Sequence, residues 1–303
     1  MILPQLHGEL KQDKFFIFAA CDDVYFDDFG EVIINSIKKN TSTHLHLHIY
    51  NPRDDQLLLI ERLDQVSISY EFVALEAFET AAKRWLCQPP RHIKNPGTIS
   101  VQKKQNTNGA YNFIYNLLNS TSLKWWTPTN LEYSKYKSTI SAMRRGSDKN
   151  ICDRMRKTYY ACSRFIRLNQ LLTGPASFLA IDVDAVVRKE LEMLPSTYDF
   201  FFHRIHGVNA RFLAGGLYCN KTTNCLKFLD EYSDVLQDYI RKDYLYWGLD
   251  QIVLEDIVPK YNWGELPRSY ADWFMELDSF IWTAKGARKE SSIFINEQKK
   301  YSY

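Results

Sequence analysis

No apolar run in this chain approaches the roughly 18 residues needed to cross a bilayer. Met1–Leu10 lacks both the basic start and the apolar centre of a secretory signal, so a soluble protein is expected. The six cysteines (Cys21, Cys87, Cys152, Cys162, Cys219 and Cys225) are scattered, with no Cys-x-x-Cys pair. That argues against a disulfide framework or a zinc ribbon and favours reduced thiols in the cytoplasm. Net charge is only +2, too little for a global field that selects nucleic acid or an acidic membrane. There is no Gly-x-Gly-x-x-Gly, no Walker sequence, and no Ser/His/Asp or Cys/His arrangement for a covalent nucleophile.

What is present is a core and a rhythm. Hydrophobic residues make up 45% of the 303 positions, with 19 Tyr, 18 Phe and 7 Trp. These rings suit a packed interior, and also surfaces on which sugars or bases stack. The first third alternates strand-like and helix-like patterns: Phe15–Cys21, Phe29–Lys39, Leu45–Asn51, Gln56–Leu63, Val66–Val73 and Leu75–Trp85. Strand–helix alternation of this kind implies an α/β fold with a mostly parallel sheet. Residues 88–157 break the rhythm with Pro89-Pro90, Asn95-Pro96-Gly97, polar stretches and Trp125-Trp126-Thr127-Pro128. They read as an insertion, part loop and part helix. Arg144, Arg145, Lys149, Arg154, Arg156 and Lys157 make its end basic, as a solvated face or a clamp for an anionic group. Regular patterning returns over 155–172, 178–181, 200–204, 212–219, 223–239, 248–256 and 279–282. The end, Gln298–Tyr303, is expected to be disordered.

The most informative segment is Phe178-Leu179-Ala180-Ile181-Asp182-Val183-Asp184, a short apolar run after Gly174-Pro175 that ends in two acids. Extended residues at i and i+2 project to one side, so both carboxylates leave the sheet edge together. They repel unless one is protonated or a cation neutralises them. Two solvated acids at a strand end are common; the alternative is a cradle for Mg²⁺ or Mn²⁺ carrying a diphosphate. Ligands of open α/β sheets sit outside the carboxyl ends of strands. At the end of the first strand, Ala20-Cys21-Asp22-Asp23-Val24-Tyr25 could either cap a helix or bind a base, Asp22 accepting from a base N–H and Tyr25 stacking. His44, His46 and His48 alternate along one strand face, as core-edge residues or, less plainly, a zinc triad. Asp250-Gln251 opens a helix, where an acid suits the dipole or faces a reacting carbon. Thr283-Ala284-Lys285-Gly286-Ala287-Arg288-Lys289 is a basic turn, able to lie in solvent or to grip a diphosphate.

Taken in order, these pieces resemble the GT-A nucleotide-sugar glycosyltransferases, and among them retaining family 8, the bacterial galactosyltransferase and glycogenin-like enzymes. Phe18-Ala19-Ala20-Cys21-Asp22-Asp23-Val24-Tyr25 resembles the family's Ala-x-Asp-x-x-Tyr start, and Ser36-Ile37 with Asn40 its Ser-Ile-x-x-Asn. Arg164 lies at about the family's arginine spacing before Asp182-x-Asp184. Leu213-Ala214-Gly215-Gly216 resembles its Asn-Ala-Gly strand, Asp250-Gln251 its Asp-Gln step, and Gly286-x-x-Lys289 the end of its His-x-x-Gly-x-x-Lys. The match runs over about residues 15–290 apart from the insertion, and its specificity lies in the shared order.

The resemblance implies one GT-A domain over 1–290, with the insertion at about 88–157 and a tail at 291–303. It implies transfer of a hexose from a nucleotide-diphosphate sugar, UDP-glucose or UDP-galactose, to an acceptor hydroxyl with retention. The acceptor is a carbohydrate, lipid or protein, and nucleic acid is not a partner. By the same resemblance Ala20, Asp22 and Tyr25 hold the base, Asp182 and Asp184 hold Mn²⁺ or Mg²⁺ on the diphosphate, and Arg164 and Asp250 contact the sugar. Gly215, Gly216, Lys285 and Gly286 border the donor, Gln251 lies beneath the anomeric carbon, and Lys289 stabilises the leaving diphosphate. Two positions depart from the family. Thr283 stands where it has a metal-binding histidine, and Leu213 where it has the asparagine. A threonine hydroxyl is a poor ligand, so weak or absent metal dependence is expected. A glycosyltransferase-like protein that binds a nucleotide sugar without turnover is the alternative. A nucleotidyltransferase fits less well, because the first strand is not followed by a glycine-rich loop bearing Arg or Lys.

Overall fold

The computed structural model describes residues 1–11, 15–87, 148–206 and 211–302. Most of the insertion, with Arg144 and Arg145, lies outside the described residues. Two compact units are present. The larger comprises Ile2–Val73, Tyr160–Asp238 and Val253–Tyr303; the smaller comprises Met1, Ala74–Tyr159 and Tyr239–Ile252.

The larger unit carries an eight-stranded mixed sheet, in the order β1 (His7–Gly8), β4 (Val66–Glu71), β3 (His44–Tyr50), β2 (Phe16–Asp22), β5 (Phe178–Asp182), β8 (Arg211–Cys219), β7 (Phe200–Ile205) and β9 (Trp263–Glu265). Strands β4, β3, β2 and β5 run parallel, and β8 is antiparallel to both β5 and β7. Ile17, Leu45, Leu47, Ile49, Leu179 and Ile181 are all wholly or almost wholly buried. This is the signature of a parallel core that is covered on its faces and therefore reads as near-continuous apolar runs. The arrangement is α/β and Rossmann-like, as the patterning implies and in keeping with the GT-A fold.

Chain order fixes where a ligand can enter. From β2 the chain steps outward to β3 and β4, then returns to place β5 on the other flank of β2. The crevice at the carboxyl ends of β2 and β5 is thus a topological switch point, where open α/β sheets bind ligands. Ala20 and Asp182 are register partners there.

Helix Glu31–Asn40 buries Val32, Ile33, Ile34 and Ile37, and carries Lys38 and Lys39 in its last turn, where the helix dipole favours cations. Ser36 and Asn40, two residues of the family resemblance, are structural. The Val187 N–H donates to Ser36 Oγ (3.2 Å), and Asn40 Nδ2 donates to the Val187 carbonyl (2.8 Å). They thereby hold β6 (Val186–Val187), which pairs with β10 (Ile281–Trp282) in a small antiparallel ribbon.

The end of the chain differs from the expected disorder. Helix Ser292–Gln298 is capped by Ser291, whose hydroxyl accepts from the Phe294 N–H. Tyr301 is buried, and Asn35 and Asn40 donate to its carbonyl (2.8 Å) and hydroxyl (2.9 Å). A buried ring with both polar groups satisfied outweighs the polar character of its neighbours.

His46 and His48 also depart from a core-edge placement, since both are fully buried. Ser67 and Ser69 on β4 interleave with them. Hydrogen bonds run His44 Nε2–Ser67 Oγ–His46 Nδ1 (2.8 and 2.7 Å) and His46 Nε2–Ser69 Oγ–His48 Nδ1 (2.9 Å each). These imidazoles form a polar ladder within the sheet.

In the smaller unit Asp243 accepts from the Met1 ammonium (2.6 Å) and from Arg84 (2.6 Å). Among the described residues no helix is long and apolar enough to cross a membrane.

Candidate active site

Asp182 ends β5, and Asp184 follows two residues later, already buried. Three cations close on this pair. Arg164 Nη1 lies 2.7 Å from Asp182 Oδ1, and its Nη2 donates to the Ala214 carbonyl (2.7 Å), bridging β5 to β8. Lys285 Nζ lies 3.7 Å from Asp182 Oδ2, and Lys289 Nζ lies 2.5 Å from Asp184 Oδ2.

Arg164 is aimed by its own helix. One turn before it, Tyr160 stacks on Tyr50 at the end of β3, with ring centroids 4.2 Å apart. The Tyr50 hydroxyl donates to the Tyr160 carbonyl (3.0 Å) and accepts from Ser163 (2.9 Å). These bonds fix the helical stretch against the sheet, so the guanidinium falls over β5.

Gly215 permits the close approach on the other side. A Cβ there would lie 2.5 Å from Asp182 Oδ2 and 3.1 Å from Lys285 Nζ. Gly286, with φ +58°, turns the chain after Lys285 into the short 3₁₀ helix Gly286–Glu290 that carries Lys289.

At the end of β2, Asp22 accepts from the Tyr25 N–H (2.9 Å), so it caps the short helical turn Asp23–Tyr25. Tyr25 is partly exposed, and its ring lies 5.5 Å from that of Phe29. Lys289 Nζ sits 4.9 Å from the Tyr25 ring and 5.3 Å from the Phe29 ring, and donates to the Tyr25 hydroxyl (3.3 Å). One ammonium therefore joins the aromatic turn after β2 to the acid after β5.

The two acids are not equivalent. Burial raises the Asp182 proton affinity, but Lys285 and Arg164 outweigh it and bring its pKa down to about 2. Asp184 is shifted upward, first by burial and then by the negative Asp182, with Lys289 opposing. Lys289 is held above the ordinary lysine range because Asp184 and Tyr25 outweigh its partial burial. Two acids face three basic side chains, which leaves a centre receptive to anions.

The cluster gathers Tyr25, Arg164, Asp182, Asp184, Gly215, Lys285 and Lys289 from the residues singled out in the sequence, with Ala20 beside Asp182, Gly286 in the lysine turn and Asp22 at the neighbouring strand end. Gly216 packs toward Leu266 and His203. Asp250 and Gln251 occupy the first turn of helix Leu249–Ile257 in the smaller unit, with Asp250 buried.

Two residues escaped the sequence reading. The β7/β8 register shifts between Phe202 and His203, where Ala214, Gly215 and Gly216 of β8 fall between the pairs Phe202–Leu217 and His203–Leu213. His203 stacks on Trp273 (4.9 Å, 13° between planes), and Lys285 Nζ lies 5.1 Å from the indole. Burial and then the Lys285 charge depress the His203 pKa. The signal that could have marked the irregularity is Gly215-Gly216 inside a strand.

The residues present do not suit a resident Mn²⁺ or Mg²⁺. Both oxygens of Asp182 already face cations, and Asp184 binds Lys289. Thr283, at the third position, is buried, offers only a neutral hydroxyl, and donates its N–H to the Asp272 carbonyl (2.9 Å). Among the described residues no group of three His, Cys, Asp or Glu side chains is arranged to hold a metal. The histidines of β3 therefore form no zinc site among those residues.

No protein-family model and no curated protein matches the chain. Among solved structures it is similar to the apo bifunctional glycosyltransferase WbbM (12% identity, TM-score 0.47, 96% of this chain and 50% of that one). It is similar also to galactosyltransferase LgtC with donor and acceptor sugar analogues (11%, 0.47, 95% and 96%), and to glycosyltransferase GlyE of Streptococcus pneumoniae TIGR4 (10%, 0.48, 95% and 60%). The chain spans about half the length of the first of these. At this degree of likeness none of them speaks to donor, acceptor or mechanism here.

Proposed function

We propose that the protein transfers a hexose from a UDP-sugar, UDP-glucose or UDP-galactose, to an acceptor hydroxyl with retention at the anomeric carbon. The observation that carries this reading is the cluster at the β2/β5 switch point: Asp182 and Asp184 ringed by Arg164, Lys285 and Lys289, with Tyr25 beside them. It has the chemistry needed to hold a diphosphate between a stacked base and a polar sugar.

In this reading Ala20, Asp22 and Tyr25 receive the uracil. Asp182 accepts from ribose or sugar hydroxyls. Arg164 and Asp250 contact the hexose, and Gln251 lies beneath its anomeric carbon. Glycosyl transfer separates charge, positive at the anomeric carbon and negative on the departing phosphate, so fixed groups of opposite sign lower the barrier. Lys289, held by Asp184 and Tyr25, is set to receive the leaving diphosphate. The bond from the anomeric carbon to the diphosphate oxygen breaks, and the acceptor oxygen bonds to the same face. A phosphate oxygen takes the acceptor proton, which gives UDP and the glycoside.

Buried Leu213, at the position of the family's asparagine, cannot hydrogen-bond a sugar. It favours a second reading, in which the protein binds a nucleotide sugar without turning it over. Release of UDP from UDP-glucose and UDP-galactose separates the two. Release that is lost in Asp182→Asn supports transfer; a thermal shift with no UDP release supports binding alone. If neither sugar nucleotide shifts the melting temperature, both readings fail.

A further inference from the structure

We propose that Lys285 and Lys289 stand where a diphosphate-sugar site would carry its divalent cation, so that the chain supplies its own counter-charge to the diphosphate. This rests on the donor reading above. Both ammoniums are held in built positions rather than on free surface chains. Lys289 is fixed from two directions, by Asp184 (2.5 Å) and by the Tyr25 hydroxyl (3.3 Å), with the rings of Tyr25 and Phe29 within 5.3 Å. Lys285 lies between Asp182 (3.7 Å) and the face of Trp273 (5.1 Å), and the absence of a side chain at Gly215 keeps its path open.

Charge counting points the same way. Two carboxylates and the three cations Arg164, Lys285 and Lys289 leave one positive charge in the cluster. A dication added to it would meet ammonium groups at both acids and a neutral hydroxyl at Thr283. A diphosphate meets a pair of preformed donors and a favourable charge. In exchange for a metal's Lewis acidity, the lysines offer charge-assisted hydrogen bonds to the phosphate oxygens. Asp184 is a positioning residue that holds the Lys289 ammonium in place, and Asp182 holds Lys285 besides meeting the donor's hydroxyls.

The test uses the full chain with three probes: Mn²⁺ alone, followed by its electron paramagnetic resonance signal, and inorganic diphosphate and UDP, followed by thermal shift. The expected result is that the Mn²⁺ signal stays that of the free ion, while diphosphate and UDP stabilise the protein equally in EDTA and in excess Mn²⁺. Lys289→Ala should weaken diphosphate binding by roughly tenfold or more, the scale of one lost charged hydrogen bond, and Lys289→Arg should restore most of it. Lys285→Ala reports independently if the Lys289 variant does not fold. Micromolar Mn²⁺ binding that Asp184→Asn abolishes would overturn the proposal. So would stabilisation by diphosphate that requires Mn²⁺, or none under either condition. Stabilisation by diphosphate in EDTA with no effect of any UDP-sugar would uphold the lysine pair and reject the donor.

Discussion

Acid should destabilise this fold well above the range in which carboxylates titrate, and the imidazole ladder of β3 is the reason. His46 is fully buried with both ring nitrogens hydrogen-bonded to serines. Burial, then the neighbouring His44, bring its pKa from 6.5 down to about 3. His48 is depressed as well, by burial, then by Arg167 and His46. In the unfolded chain both return to about 6.5. Between these limits the unfolded state binds protons that the folded state refuses. Stability is therefore complete above about pH 6.5 and is lost as the pH falls toward the folded value. At about 1.4 kcal/mol per pH unit, His46 alone withdraws about 2 kcal/mol by pH 5, and on the order of 5 kcal/mol by its folded pKa of about 3. Urea unfolding at pH 7.5, 6 and 5, in wild type and in His46→Gln, measures this directly, because glutamine keeps hydrogen-bonding capacity without titrating. His203 shifts in the same direction, so the comparison between variants decides. The wild type should lose about 1.4 kcal/mol per pH unit more than His46→Gln between pH 6 and 5. Equal slopes would refute the reasoning.

Gly215→Ala places a Cβ 2.5 Å from Asp182 Oδ2, and should lower the rate of UDP release on the order of a hundredfold, the scale of a misplaced catalytic group, with little change in melting temperature. Tyr25→Ala removes the stacking face beside Lys289. Calorimetry should show UDP binding weakened by about 1–3 kcal/mol. Glu71→Gln breaks the buried ion pair with Arg167, both groups being almost fully enclosed. Denaturant unfolding should register a loss of about 3–5 kcal/mol.

The parallel core was legible because β2, β3, β4 and β5 are continuous or alternating apolar runs whose period needs no distant information. The two- and three-residue strands β1, β6 and β9 were not legible, since so few residues carry no period. The acids, the arginine and the basic turn could each be picked out. Their union could not: Lys289 meets Asp184 across more than a hundred intervening residues, and its seat on Tyr25 and Phe29 depends on the turn after β2. The histidine ladder shows what pairing adds. His-x-His-x-His on β3 suggests a metal face, and Ser67-Ile68-Ser69 looks like an ordinary polar alternation. Only the parallel register of β3 and β4 reveals that one answers the other.

The partnership of β2 with β5 also bears on how the chain is made. Phe16 and Phe178 are register partners 162 positions apart (178 less 16). During synthesis β2, β3 and β4 therefore emerge long before the strand that closes the inner flank of β2. Until then a ready-made parallel edge, apolar on both faces, waits unpaired, a slow and aggregation-exposed stage of folding. Both acids of the proposed catalytic cluster arrive with or just after the closing strand, whereas Lys285 and Lys289, which hold them, follow about a hundred residues later. A nascent chain that ends before Phe178 leaves that edge of β2 open.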